Sequence, residues 1–140
     1  MKSTIAIIAA ALLAAPALAD GNPAEGEKVF KKCISCHVVA DPDGNVLAGR
    51  GAKTGPNLYG IAGRVVGSEE GFRYSDGLKA LGEQGVVWDE EHFIAFVQDP
   101  TGWLKDQLGD SKARSKMSFK VRKEDEARDV YAYLAQFGAQ

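Results

Sequence analysis

The stretch KKCISCHVV, residues 31–39, contains both cysteines of the chain, Cys33 and Cys36, with His37 directly after the second. Two thiols at this spacing have few fates: a disulfide, a redox dithiol, part of a zinc site, or attachment of a c-type haem, whose pattern is Cys-x-x-Cys-His. Zinc is disfavoured, because the only other histidine, His92, lies far along the chain. A thioredoxin-like pair belongs beside a strand-helix-strand pattern, and none is visible around this one. Haem attachment uses all three residues. The thiols add across the two vinyl groups, and a helical turn brings both sulfurs to one porphyrin edge while His37 reaches the metal.

The flanking sequence supplies that helix. Asn22 suits an N-cap, Pro23 the first helical position, and Glu25 completes a capping-box-like pattern. Val29, Phe30, Cys33, Cys36 and His37 follow at spacings of three and four, which predicts one helix carrying the motif on its core face. A second helix opens at Asp89 and ends before Pro100, with Phe93, Ile94, Phe96 and Val97 as its apolar face and His92 at the border. A third begins with Glu124, Asp125 and Glu126, which suit a positive helix end, and carries Ala127, Val130, Tyr131, Leu134 and Phe137 as a stripe. The expected fold class is all-α.

The first residues, MKSTIAIIAAALLAAPALA, put Lys2 before an apolar run and end it on small residues, the pattern of a secretory signal peptide cut after Ala19. The run is short for a bilayer span, so the expected organisation is residues 1–19 as signal and 20–140 as one domain, located in the periplasm. Export sharpens the haem reading, since covalent attachment takes place outside the bacterial cytoplasm. The formal net charge of −2 gives no reason to expect a nucleic-acid partner. Its distribution is uneven. Lys105, Lys112, Arg114, Lys116, Lys120, Arg122 and Lys123 crowd the segment after Trp103, whereas acidic residues dominate from Glu69 to Glu91. Either a dipole that orients the protein on a charged partner or two ordinary solvated faces would give this pattern.

If His37 fills one axial position, the opposite one is open to His92, Met117 or a lysine. Axial ligation separates electron transfer from open-site chemistry. His92 reads as a partly exposed helix histidine. Met117 lies in SKARSKMSFK, a basic, loop-like segment near the far end of the chain that can fold across the haem, with Phe119 two residues on. As a soft neutral sulfur, Met117 is the leading candidate.

The ordered motifs CISCH, TGPNLYGIAGR, GFRYSDG, VVWDEEHF, VQDPTGWL, SKMSF and VYAYL together resemble the class I c-type cytochromes, most closely the bacterial cytochrome c2 group related to mitochondrial cytochrome c. The resemblance runs from Glu25 to Phe137. It implies a monohaem fold whose first and last helices cross, Gly26 and Phe30 meeting Tyr133 and Leu134, with loops wrapping one haem c held through Cys33 and Cys36. Metal ligation falls to His37 and Met117. Pro56 is similar to the residue whose carbonyl accepts the second ring N–H of the axial histidine, and Arg64, Tyr74 and Trp88 match positions that bind or neutralise the haem propionates. Two features depart from the mitochondrial members: longer segments at 38–55 and 103–117, and Phe96 where many have a tyrosine near the methionine.

The function this implies is a soluble electron carrier, not an enzyme, that takes one electron from the quinol-oxidising cytochrome complex to a photosynthetic reaction centre or terminal oxidase. It would act as a monomer with no small-molecule substrate. Lys31, Lys32, Lys112, Lys116, Lys120 and Lys123, with Arg114, would ring the haem edge and steer docking onto acidic membrane complexes. The alternative is an open-site haem protein with peroxidase or gas-binding activity, in which Met117 is absent from the iron.

Overall fold

Asn22 caps as its sequence context predicts: its Oδ1 accepts the N–H groups of Ala24 at 3.0 Å and Glu25 at 3.4 Å. Helix α1 (Pro23–Phe30) follows from it. A computed structural model describes residues 20–139 of the chain, and the expected signal segment, 1–19, lies outside them. Glu25 does not close a capping box. Its carboxylate pairs with Lys28 at 2.7 Å, and the Asn22 N–H that a box would use donates to Asp129 Oδ1 at 2.7 Å.

Helix α1 stops before the cysteine motif, which corrects the single helix expected there. Beyond Phe30 the backbone continues as successive turns: Cys33 N–H donates to the Phe30 carbonyl at 2.8 Å, and the N–H groups of Cys36 and His37 both donate to the Cys33 carbonyl, at 3.1 and 2.9 Å. Turns of this kind keep roughly the three-and-four spacing of a helix, so periodicity alone cannot tell the two apart.

After His37 the chain forms a small antiparallel hairpin of β1 (Val38–Ala40) and β2 (Val46–Gly49), with Val38 opposite Gly49 and an irregularity between Val39 and Ala40. The DPDG turn signal sits at its tip. The Asp41 carboxylate accepts the N–H groups of Asp43 and Asn45 at 3.0 and 2.8 Å and the Asn45 amide at 2.9 Å. These bonds, the Asn45 side chain foremost, favour the ionised carboxyl and hold its pKa low.

The remaining elements are helical: α2 (Asp76–Glu83), α3 (Glu90–Gln98), α4 (Pro100–Leu108) and α5 (Glu124–Leu134). Ser75 caps α2, and Asp89 caps α3 by accepting His92 N–H at 2.8 Å. Pro100 begins α4, where its missing N–H costs nothing. Five helices and one short hairpin, among the described residues, make the all-α class expected from the sequence. None of these helices is long and apolar enough to cross a membrane.

The crossing of α1 and α5 depends on Gly26. A Cβ there would stand 2.8 Å from Tyr133 Cβ and collide with the Asp129 carbonyl, so only glycine lets the backbones meet. The Phe30 and Tyr133 rings sit 5.5 Å apart beside it. Helix α3 lies along α5 through Phe93 and Tyr131, and the Tyr131 hydroxyl donates to the Trp88 carbonyl at 3.2 Å. Leu81, Leu104 and Leu134 are at most 1 % exposed. Burial of each stabilises the domain by about 1.5–3 kcal/mol, which ties α2, α4 and α5 into one core.

Candidate functional site

His37 leaves the turns at the end of the cysteine motif, and its ring is held by the loop at 55–57. Its Nδ1 lies 2.9 Å from the Pro56 carbonyl. A carbonyl only accepts, so Nδ1 carries the proton and Nε2 keeps its lone pair. Gly55 makes room for the ring: a Cβ there would stand 2.7 Å from Nδ1 and 2.9 Å from Nε2. Burial lowers the imidazole pKa, with the Pro56 bond opposing it. The ring is therefore a neutral, oriented, one-lone-pair donor.

The loop that orients it is itself clamped. Asn57 Oδ1 accepts the N–H groups of Ala40 at 3.0 Å and Tyr59 at 3.1 Å, while its Nδ2 donates to the Ala40 carbonyl at 2.8 Å. The hairpin is thus tied to the loop that holds the histidine through this side chain and through the Leu58 N–H, which donates to the Val38 carbonyl at 2.9 Å. Arg64 Nη2 donates to the Asn57 carbonyl at 3.0 Å and Nη1 to that of Tyr59 at 2.9 Å. Asn57 N–H donates to Glu69 Oε2 at 2.9 Å, and Glu69 N–H donates to the Tyr74 hydroxyl at 3.1 Å. Burial raises the pKa of that hydroxyl. Sequence reasoning gave roles to Pro56, Arg64 and Tyr74 but missed Asn57 and Glu69, which join them. Asn57 stands inside a motif already singled out. Glu69 carries no local signal, because its bond appears only once the loop has folded back.

Cys33 and Cys36 are half-buried free thiols. Burial pushes the Cys33 thiol up to about 11, the opposite of the depressed value that a redox dithiol uses for exchange. Gly55 N–H, from the loop under His37, donates to the Cys36 carbonyl at 2.7 Å and couples motif to loop.

Met117 lies in an extended loop and packs half-buried against the core. Its N–H donates to Ser115 Oγ at 3.1 Å, and Ser115 N–H donates to Thr101 Oγ1 on α4 at 3.1 Å. Lys116 Nζ donates to the carbonyls of Arg73 at 3.0 Å and Tyr74 at 3.4 Å. Beyond it, Lys120 pairs with Asp99 at 3.0 Å, and Val121 N–H donates to the Val97 carbonyl at 2.8 Å. Five residues therefore span two anchors, one on the 73–74 loop and one at the α3–α4 junction. Phe119 is 45 % exposed, so its ring faces outward from this loop.

Trp88 is buried in an aromatic cluster, stacked on Trp103 at 5.2 Å and tilted against Phe96 at 5.0 Å. Two buried donors lack a partner among the described residues: Arg64 Nε and Trp103 Nε1. An orphaned guanidinium donor is costly unless an acceptor such as a carboxylate meets it. His92 is engaged elsewhere, with Nδ1 3.0 Å from the Val87 carbonyl. Of the expected docking lysines, Lys32 and Lys123 share Glu126 at 3.1 and 3.8 Å, Lys116 and Lys120 are bound as described, and Lys31 and Lys112 are exposed with no side-chain partner among the described residues.

No family model matches the chain. Curated relatives do. A cytochrome c2 of Rhodovulum adriaticum is 61% identical over 119 residues, which cover 85% of this chain and 94% of the relative. A cytochrome c2 of Cereibacter sphaeroides is 50% identical over 140 residues, 97% of each. Among solved structures, cytochrome c2 from Rhodobacter sphaeroides matches with a TM-score of 0.83 at 49% identity, covering 86% of this chain and 99% of that one. Ferric cytochrome c-550 from Paracoccus versutus matches with a TM-score of 0.79 at 47% identity, covering 85% and 99%.

Proposed function

Because the chain belongs to the cytochrome c2 family of class I c-type cytochromes, we propose that it is a periplasmic one-electron carrier in which His37 and Met117 would hold the iron. Haem c, attached covalently through Cys33 and Cys36, is the cofactor of this family, and the residues present fit it: two free thiols, an oriented imidazole, and an orphaned guanidinium N–H at Arg64 suited to a propionate. When bound, this group supplies the ferrous/ferric couple. The domain is residues 20–140, with 1–19 removed on export.

The observation that carries the reading is the His37–Pro56 bond. It fixes the tautomer in which Nε2 is free to bind a metal, and it makes that nitrogen a better donor. Met117, held between the Lys116 and Lys120 anchors, supplies a neutral thioether, which favours the reduced state. Arg64, Tyr74 and Trp88 bind or neutralise the propionates, charges that are costly to bury alone. With His37 and Met117 both committed to the iron, no position would be left for a substrate to bind it, and the protein is proposed to act as a carrier and a monomer.

Electrons enter from the quinol-oxidising complex and leave to a reaction centre or terminal oxidase. Docking uses the basic residues, most directly Lys31 and Lys112, against acidic patches on those partners. The deciding experiment is the spectrum of the ferric protein with and without Met117→Ala. A far-red methionine-to-iron charge-transfer band is expected in the first and lost in the second. Its survival, or rapid and complete carbon monoxide binding by the reduced protein, would overturn the closed site.

A further inference from the structure

A single peptide group lies between His37 and Glu69. Its carbonyl, on Pro56, accepts from His37 Nδ1 at 2.9 Å, and its N–H, on Asn57, donates to Glu69 Oε2 at 2.9 Å. We infer that Glu69 is a positioning residue that tunes the donor strength of His37 through the Pro56–Asn57 peptide, and with it the reduction potential. This rests on the proposal that His37 is an axial ligand.

The argument is electronic. A carboxylate accepting from the N–H end of an amide draws the proton outward and shifts electron density toward the carbonyl oxygen. Hydrogen bonds in such a chain strengthen one another by about 10–30 % each. The Pro56 carbonyl becomes a stronger acceptor, the imidazole N–H is pulled further toward it, and Nε2 gains electron density. A richer donor stabilises ferric over ferrous iron, so Glu69 lowers the potential.

The surroundings make the relay rigid. Asn57 is bonded to both backbone groups of Ala40, and Arg64 Nη2 holds the next carbonyl along, that of Asn57. The peptide is thus pinned on each side. Glu69 is half-buried and its own N–H is fixed to Tyr74, so the carboxylate has a defined position as well. Its neighbour Glu70 is exposed and makes no side-chain bond among the described residues. The two adjacent acids therefore form an internal control: similar charge in one loop, but only one of them on the peptide.

The test uses the haem-loaded full chain with Glu69→Gln, which keeps an acceptor and drops the charge, Glu69→Ala, which removes both, and Glu70→Gln. The readouts are the His37 Nδ1–H proton resonance in the reduced protein and the reduction potential. Expected is an upfield move of that resonance from wild type to Gln to Ala, with the redox equilibrium shifting about two- to threefold toward the reduced form, and no move for Glu70→Gln. A higher potential with a stationary Nδ1–H resonance would overturn the relay, since charge would then act only through space. So would equal effects from Glu69→Gln and Glu70→Gln, or no change in any variant. A wild-type spectrum without the Nδ1–H resonance of an iron-bound imidazole would remove the axial assignment itself, a distinct failure.

Discussion

Lys116 Nζ donates to the Arg73 carbonyl at 3.0 Å, from the residue next to Met117. The bond joins loops that are distant in sequence and holds the methionine segment down on one side, while Lys120 holds it on the other. Opening the segment therefore requires breaking one of the two. For Lys116→Ala we expect loss of about 1 kcal/mol of closed-loop preference, read as roughly fivefold tighter azide binding to the ferric protein, because under the proposed ligation azide must displace Met117. Unchanged azide affinity would place the closure in the Ser115 and Lys120 contacts instead.

Gly55 tolerates no side chain, since a Cβ would press on the His37 ring at both nitrogens. Gly55→Ala must push the ring off the Pro56 carbonyl or move the loop. The expected cost is about 1–3 kcal/mol, measured by guanidinium unfolding of the haem-bound protein, together with a shift of the His37 Nδ1–H resonance. Normal stability with an unmoved resonance would show that the loop yields freely.

Acid should act on the other anchor. The Lys120 ammonium holds the Asp99 carboxyl below its ordinary value of 3.8. A carboxyl depressed in the folded state contributes stability above its unfolded pKa, and this contribution is lost as the pH falls through the folded value. Asp99→Asn should accordingly be less stable than wild type at neutral pH, with the two curves converging in acid below pH 3.8. Curves that stay parallel through that range would mean the exposed pair contributes nothing.

The lysines proposed for docking differ in how freely they carry their charge. Lys31 and Lys112 have no side-chain partner among the described residues, whereas Lys32 and Lys123 share Glu126. Charge reversal at Lys31 or Lys112 should slow association with an acidic redox partner about threefold or more at low salt, and the deficit should shrink as salt is added. Reversal at Lys123, already offset by Glu126, should slow it less. Stopped-flow rates across ionic strength measure both, and equal effects at all three sites would remove the distinction.

Features that rest on local chemistry were legible in the sequence. Asn22, Asp89 and Pro100 mark helix ends because capping and proline geometry act over a few residues. The α5 stripe marked a helix and CISCH marked the cofactor, whereas the crossing at Gly26 came from the resemblance to the class I cytochromes. What escaped were features set by tertiary contact. Glu25 goes to Lys28 because Asp129, over a hundred residues on, takes the Asn22 N–H. Helix α1 ends at Phe30 although the spacing runs on, since consecutive turns mimic its period. Lys116 reads as one of a basic run, and only folding shows its ammonium bound to Arg73 and Tyr74. Asn57 and Glu69 are polar residues whose partners lie on other segments, so no window along the chain displays them together.

The Asn22–Asp129 bond spans 107 positions, and it closes the same pair of helices that Gly26 brings into contact. Contacts of such separation carry a loop-closure entropy cost, because the loop between them must be gathered first. A chain exported amino end first, as proposed, would present the two thiols of CISCH before α5 arrives to pack against α1. Until that last helix packs, the segment carrying the thiols would stay accessible.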